Sequence, residues 1–412
     1  MELSVGVNVQ QFRDYLLTNR PPQALSVLFS TGSLFDTASG PYHTLKGTAE
    51  GLAARGDAVA VVGTLASGES IRDEWRNVSV RGFRRIGPGS LHWSPAAGTW
   101  IRKSNPSVDA VSLQGVWLHV NSVVAAWATA RQVPYMISAH GNFNPVALEF
   151  ARYKKAVATS WFVRDMLAGA SCMHASNDEE AATIREYGIT APVAVVPNGV
   201  ELPSVNQEDR VAATYPIVSQ DQRVCLYLGR LHPIKNLESL IDGWSRLDGY
   251  AGTWTLVVAG SGDQRYIRSL ARHAEAVSGE LQIRFVGQID DAMKSAWLRR
   301  SELFVLPSTS EAIPMAPLEA MAHGVPVLIT RQCNLPDIGV FGAGMLCDPE
   351  AESLHGALDE LIGKSSTELL AMGDRARLMV VERFSRDHVV AQLRTTYLWM
   401  LGKAPCPEWV KL

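Results

Sequence analysis

Two carboxylates stand at a spacing that could carry chemistry. Glu311 closes the run Pro307-Ser308-Thr309-Ser310-Glu311, and Glu319 follows in Pro317-Leu318-Glu319-Ala320-Met321-Ala322, ahead of Gly324-Val325-Pro326-Val327. Pro317 sits where a helix should begin, at its first position, which places Glu319 in the first turn. Backbone N–H groups around Met315, Ala316 and Leu318 would then point at the preceding loop and favour an anion there; Pro317 itself supplies none. Taken singly, Glu319 need only complement the helix dipole and Glu311 is a solvated loop charge. The whole string, with its small-residue helix and Gly-x-Pro-Val strand entry, argues for a site.

Two cations form the second constellation, in Tyr227-Leu228-Gly229-Arg230-Leu231-His232-Pro233-Ile234-Lys235-Asn236. Arg230 can fork onto phosphate oxygens and Lys235 can add a point charge, so together they could neutralise a diphosphate leaving group. The plain alternative is two surface cations beside a turn. Their place just after an apolar run favours the functional reading.

The elements that must hold these residues alternate. Short apolar runs at 25–30, 58–64, 110–113, 135–139, 171–175 and 193–196 are separated by longer segments of helical period. The second half repeats the pattern at 224–228, 255–259, 283–286, 303–306, 325–329 and 344–347. That alternation predicts βαβ units and parallel sheets, an α/β fold with two doubly wound domains. In such sheets a ligand sits outside the carboxyl ends of the strands. Gly56 closes the first helical segment as a C′ glycine. The polar stretch 201–222 reads as the linker, residues 1–22 as an extension ending at Pro21-Pro22, and 386–401 as a last helix able to pack on either half. The expected domains are therefore 23–202 and 203–385, with 386–412 as the terminal helical segment.

Bulk properties set the outer limits. A chain of 412 residues suits two domains. Hydrophobic content of 47% with 19% charged residues is that of a soluble globular protein, and a net charge of −3 carries no nucleic-acid footprint. Cys172, Cys225, Cys333, Cys347 and Cys406 lack CxxC spacing, which argues against a disulfide framework or zinc site and fits a reducing cytoplasm. No apolar run reaches the roughly eighteen residues a spanning helix needs, and the first residues lack a signal peptide's apolar region.

Glu311 and Glu319 with seven residues between, joined to Gly229-Arg230 and Lys235, resemble the family-4 retaining glycosyltransferases of the GT-B fold, group 1. Further matching pieces are Arg55-Gly56-Asp57-Ala58-Val59, His140-Gly141, Pro197-Asn198-Gly199-Val200, Ala259-Gly260-Ser261-Gly262 and Phe285-Val286-Gly287. The resemblance covers the chain from about Leu25 to Leu361, and its specificity lies in the order and spacing of pieces that are weak alone. It implies two Rossmann-like domains facing across a cleft, an N-terminal acceptor domain and a C-terminal donor domain. The activity implied is transfer of a hexosyl unit from a UDP- or GDP-sugar to an acceptor hydroxyl, with no cofactor beyond the donor.

Roles follow from the resemblance position by position. Arg230 and Lys235 would grip the donor diphosphate, Glu319 would accept from the ribose hydroxyls, and Glu311 would lie by the donor sugar. Gly229, Gly260, Gly287, Met315, Ala316, Pro317 and Leu318 would complete the donor site. Gly40, in Thr37-Ala38-Ser39-Gly40-Pro41, resembles the loop that closes over the phosphates, although Ser39 stands where the family usually has a second glycine. His140 matches a histidine facing the sugar; a lone histidine can equally be structural. Ala312-Ile313-Pro314-Met315 departs from the Gly-Phe-Gly of many relatives, which bears on the donor sugar more than on catalysis.

The implied mechanism is front-face, with the departing phosphate oxygen taking the acceptor's proton, and the protein supplying electrostatic stabilisation, orientation and domain closure. Asp290-Asp291 reads as an N-cap pair for a helix at 292–299 rather than a metal site, so metal independence is expected. The rival readings are a non-hydrolysing nucleotide-sugar epimerase, a phosphorylase, for which no lysine anchor can be argued, and a non-catalytic sugar-nucleotide-binding protein. On the acceptor side, Trp117, His119, Asn142 and Asn144 follow strands, while Trp117 could as readily be packing. Arg152, Lys154 and Lys155 precede Trp161 and Phe162, a stretch that either touches the inner face of a membrane or is a solvated helix face. A saccharide, lipid-linked saccharide or small metabolite is the expected acceptor class, with bacterial surface polysaccharide or glycoconjugate synthesis as the default setting.

Overall fold

Runs rich in Val, Ile, Leu and Ala become strands because a parallel sheet covered on both faces has no solvent side to satisfy. A computed structural model describes residues 24–35, 40–71, 74–87, 89–149, 152–203, 218–219, 221–250, 252–277 and 282–412. The extension 1–22, the Thr37 to Ser39 part of the expected phosphate loop and most of the 201–222 stretch lie outside the described residues.

The chain divides into two compact units, one of residues up to Gly199 together with Arg386–Leu412, the other Val200–Ser385. The first is built on β1 (Ser26–Ser33), β2 (Ala58–Leu65), β3 (Ser79–Arg84), β4 (Ala110–Gln114), β5 (Tyr135–Ser138), β6 (Cys172–Ala175) and β7 (Val193–Val195). The second is built on β8 (Arg223–Leu228), β9 (Trp254–Ala259), β10 (Gln282–Gly287), β11 (Leu303–Leu306), β12 (Val327–Thr330) and β13 (Gly344–Cys347). A short β14 (Val410–Lys411) returns to the first sheet.

Among the described residues the first sheet runs β14-β7-β6-β5-β4-β1-β2-β3 and the second β10-β9-β8-β11-β12-β13. All pairings are parallel except β14 on β7. Both are Rossmann-like, doubly wound α/β sheets, and the strand order reverses between β1 and β4 in the first and between β8 and β11 in the second. Those two points fix where ligands belong.

Two strands escape the apolar-run reading. β3 alternates small and polar residues with Phe83, and its Arg81 is buried with the guanidinium 5.6 Å from the Phe83 ring and 5.4 Å from the Trp100 ring. β14 is two residues long, too short to leave a pattern.

The helix Arg386–Met400 belongs to the first unit and lies on the helix Gly40–Ala54. Gly47 and Gly51 permit that approach: a Cβ at Gly51 would stand 2.6 Å from Val390 Cγ2. Asp57 anchors the same region, its buried carboxylate accepting from the Leu25 amide at 2.8 Å and from Arg394 Nε at 2.9 Å. The Arg-Gly-Asp piece of the sequence thus holds β1, β2 and the last helix together.

Candidate functional site

In the second unit the site grows from the carboxyl ends of β8 and β11. After β8 the chain continues beside the β9 loop, with Gly229 N–H donating to Ala259 O at 3.1 Å and Leu231 N–H to Ser261 O at 2.8 Å. That register requires glycine opposite. Gly260 adopts φ +148°, and a Cβ there would fall 1.8 Å from Gly229 O. Gly260 N–H in turn donates to Gly287 O at 2.7 Å, and Gly287 has φ +73°. The three predicted glycines are therefore one backbone lattice at the strand ends.

The turn Pro233–Lys235 is stitched to the β11 loop, where Thr309 N–H donates to Ile234 O at 2.9 Å. Lys235 Nζ makes an ion pair with Glu311 Oε1, which also accepts from Ser308 Oγ at 2.6 Å. Glu311's own backbone is fixed at both ends, its N–H donating to Gln332 O at 3.0 Å and its carbonyl accepting from Asn334 Nδ2 at 2.8 Å. Arg230 is exposed, and among the described residues no hydrogen bond or ion pair holds its guanidinium. Tyr227, buried beneath, donates its hydroxyl to Arg230 O at 3.0 Å; burial and the nearby Glu311 carboxylate push its phenol well up. The arrangement is one free cation, one restrained cation and a carboxylate at the reversal of strand order.

The following helix corrects the sequence reading. It spans Met315–Ala322 with Pro314 at the N-cap, so Pro317 is its third residue and Glu319 lies beyond the first turn. Proline tolerates that position because the first amides of a helix have no intrahelical acceptor. Met315 and Ala316 supply the open N–H groups, while Leu318 is fully buried in the core. Glu319 Oε1 accepts from Lys294 Nζ at 3.0 Å, and Lys294 also reaches Asp291 Oδ1 at 3.3 Å. Burial opposes charging of Lys294, but the two carboxylates outweigh it and hold its pKa above the ordinary lysine value. Lys294 carried no sequence signal, because only the fold brings it to Glu319. Asp290 caps the helix Asp291–Arg300 through Met293 N–H at 2.8 Å.

In the first unit, His140 follows β5 at φ +50°, next to Gly141 at φ +73°. Two successive left-handed residues need support, since such backbone persists only where its surroundings over-determine it. The support is Glu180, a buried carboxylate that accepts from Gly141 N–H and, at 2.7 Å each, from the Ser176 N–H and hydroxyl. His140 Nε2 lies 2.8 Å from Gln114 Oε1, and Gln114 Nε2 donates to Ser112 Oγ at 2.9 Å. With the amide so oriented the imidazole carries its hydrogen on Nε2 and keeps Nδ1 as an acceptor. Burial drives the His140 pKa down to about 4, the neighbouring Glu180 charge opposing and His174 assisting, so the ring is neutral at physiological pH. Gln114 and Glu180 had no motif to betray them.

Gly40 is the first residue of its helix, exposed and open to at least 4 Å on its Cβ side. The expected acceptor residues divide. Trp117 packs edge-on against Phe143 and Tyr187, and Lys155 Nζ lies 5.6 Å from its ring. His119 opens the helix His119–Ala130 among Trp93, Trp161 and Phe162, and burial lowers its pKa. Asn142 Oδ1 accepts from Val116 N–H at 2.9 Å, tying the β4 loop to the His140-Gly141 turn. Asn144 accepts on its carbonyl from Leu148 N–H at 2.9 Å at the start of the helix Pro145–Glu149. Among the described residues no group of three His, Cys, Asp or Glu side chains could hold a metal ion.

Known proteins resemble this chain in sequence and in fold. The family described as "Glycosyl transferases group 1" matches residues 216–379, and the "Glycosyl transferase 4-like domain" matches 39–199. N-acetyl-alpha-D-glucosaminyl L-malate synthase of Bacillus anthracis is 27% identical over 183 residues, 44% of this chain and 46% of that protein. Phosphatidyl-myo-inositol mannosyltransferase of Mycobacterium tuberculosis is 30% identical over 217 residues, 50% of this chain and 54% of that protein. The chain thus spans about half the length of the curated relatives it matches. Sucrose-phosphate synthase of Thermosynechococcus elongatus shares the fold at TM-score 0.70 and 18% identity, covering 92% of this chain and all of that one. HepE of Anabaena, solved in complex with UDP and glucose, superimposes at TM-score 0.68 and 18% identity over 90% of this chain and 99% of that one.

Proposed function

This chain belongs to the group 1 glycosyltransferases of the GT-B fold and GT4 type, and on that footing we propose that it moves a hexosyl unit from a UDP- or GDP-sugar to an acceptor hydroxyl with retention of configuration. The observation that carries the reading is the gathering of Arg230, Lys235 and Glu311 where the second sheet's strand order reverses, beside the helix whose open amides are those of Met315 and Ala316. A doubly wound sheet binds its ligand at that point, and cations with free amide donors suit a diphosphate.

In this mechanism the bond from the acceptor oxygen to the anomeric carbon forms on the face from which the diphosphate leaves. The bond to the phosphate oxygen breaks, its electron pair stays on that oxygen, and the acceptor's hydroxyl proton moves there. Arg230 forks onto the departing phosphates and Lys235 turns part of its charge from Glu311 to them. The two cations supply the neutralisation that a metal provides elsewhere, which makes the reaction metal-independent. Glu319 accepts from the ribose hydroxyls and Glu311 lies against the sugar. His140, neutral, accepts on Nδ1 from a sugar hydroxyl. The acceptor is a saccharide, lipid-linked saccharide or small metabolite of surface-polysaccharide or glycoconjugate synthesis; relatives that act on malate and on phosphatidyl-myo-inositol show how widely acceptors range.

Titration calorimetry with UDP, GDP and their hexose conjugates, with and without magnesium, tests the reading. Binding of one nucleoside diphosphate without magnesium supports it, and a product whose anomeric configuration, read from the one-bond C1–H1 coupling, matches that of the donor supports retention. Absence of binding by every nucleoside diphosphate overturns it.

A further inference from the structure

We propose that the helix face bearing Tyr153, Val157 and Trp161 docks on an anionic lipid bilayer. The helix Arg152–Ala158 and the π-helical turn Thr159–Val163 that follows it bury Ala158 and Val163. Their outer side is not the polar face expected of a surface helix. Tyr153 is 80% exposed, Val157 66% and Trp161 64%, and their spacing of four residues sets them in one stripe. The stripe continues through ring contacts: Trp161 meets His119 at 5.8 Å, and His119 meets Trp93, itself 39% exposed, at 6.2 Å. Aromatic side chains gathered in a patch, rather than scattered singly, mark an interaction surface.

Charge decides the occupant. Arg152, Lys154 and Arg164 are exposed along the stripe, and none makes an ion pair among the described residues. Lys155 is turned inward to Ala147 O, and only Glu149 and Asp165 oppose the cations in this stretch. A second copy docked face to face about a two-fold axis would set this cationic patch against itself. An anionic bilayer instead offers headgroups to the cations and an interfacial zone to Tyr and Trp.

The location links the surface to the acceptor rim of the same unit. The helix after β4 meets Trp161 and Phe162 through its first residue, His119, and the loop before it is tied to the His140-Gly141 turn through Asn142. A bilayer on this face brings its headgroup layer beside that rim, which suits an acceptor carried on lipid; that last step rests on the transferase reading, and the docking itself does not.

The test is sedimentation of the full chain with vesicles of phosphatidylcholine alone and of phosphatidylcholine mixed with phosphatidylglycerol, at low and high salt. Binding to the mixed vesicles that weakens with salt is expected. Tyr153→Ser/Val157→Ser/Trp161→Ser and, separately, Arg152→Glu/Lys154→Glu each lower the vesicle partition constant by about tenfold or more. Both variants keep the parent's thermal midpoint and nucleoside diphosphate affinity, which separates lost docking from lost folding and from failure of the donor site. Wild-type chain that ignores anionic vesicles, or variants that bind as well as the parent, overturn the proposal. So does a concentration-dependent dimer abolished by the triple variant, which assigns the face to a second copy.

Discussion

Lys235 and Glu311 form an ion pair that joins the loop after β8 to the loop after β11, across the reversal of strand order in the second sheet. Ser308 shares the same carboxylate oxygen, and Thr309 is bonded to the Ile234 carbonyl beside the lysine. The cation is therefore held in place before any anion arrives, which is the preorganisation that electrostatic stabilisation of a leaving group needs.

Lys235→Ala is expected to lower turnover at saturating donor by about 10²–10³, the usual cost of removing one such stabilising group. Steady-state rates of donor consumption check it, with thermal unfolding run alongside because Glu311 loses its partner. Wild-type-like turnover in a folded variant removes Lys235 from the leaving-group site.

The sequence made the sheets legible because fully buried parallel strands are continuous apolar runs. The run at 344–347 is β13 residue for residue. It made β3 illegible, since Arg81 is buried there against the rings of Phe83 and Trp100 rather than as part of an apolar pattern. Glu311 and Lys235 stood out because each lies just past an apolar run. Lys294, Gln114 and Glu180 did not, because what marks them is contact with Glu319, His140 and Gly141, and such contacts exist only after folding. The placement of Pro317 misled by two residues: the rule for a first-position proline ignores Pro314, which takes the cap instead.

Glu319→Ala is expected to weaken nucleoside diphosphate binding about 10- to 100-fold, the worth of charge-assisted hydrogen bonds to a pair of hydroxyls. Calorimetry with the nucleoside diphosphate and its 2′-deoxy analogue checks it: the parent should discriminate between them and the variant should not. Lys294→Met leaves Glu319 free to meet the ribose and should keep that discrimination. Equal affinity of parent and Glu319→Ala variant counts against the ribose role.

Gly260→Ala is expected to be among the most damaging single-methyl additions in the second unit. The new Cβ would sit 1.8 Å from Gly229 O at a φ of +148° that alanine avoids, so the strand-end lattice must open. A loss of about 3 kcal/mol or more is the order expected for strain and a broken backbone network together. Differential scanning calorimetry checks it, and an unchanged unfolding midpoint with unchanged donor affinity refutes it.

His140 gives the pH prediction. Its pKa stands at about 4 in the folded chain against 6.5 for a free histidine, chiefly through burial. The fold favours the neutral ring, so this contribution to stability is complete above pH 6.5 and is lost as the pH falls through 4. Nitrogen NMR of histidine-labelled protein should show a neutral ring with hydrogen on Nε2 across the neutral range, as the bond to Gln114 Oε1 requires. Gln114→Glu places a carboxylate where that amide oxygen stands and should raise the His140 midpoint by about 1–3 pH units. The acidic limb of the pH–rate profile should move up with it, whereas a merely structural Gln114 would change stability and leave the limb in place. A wild-type His140 that titrates near 6.5 means that the ring is not held as described and that its place at the sugar must be given up.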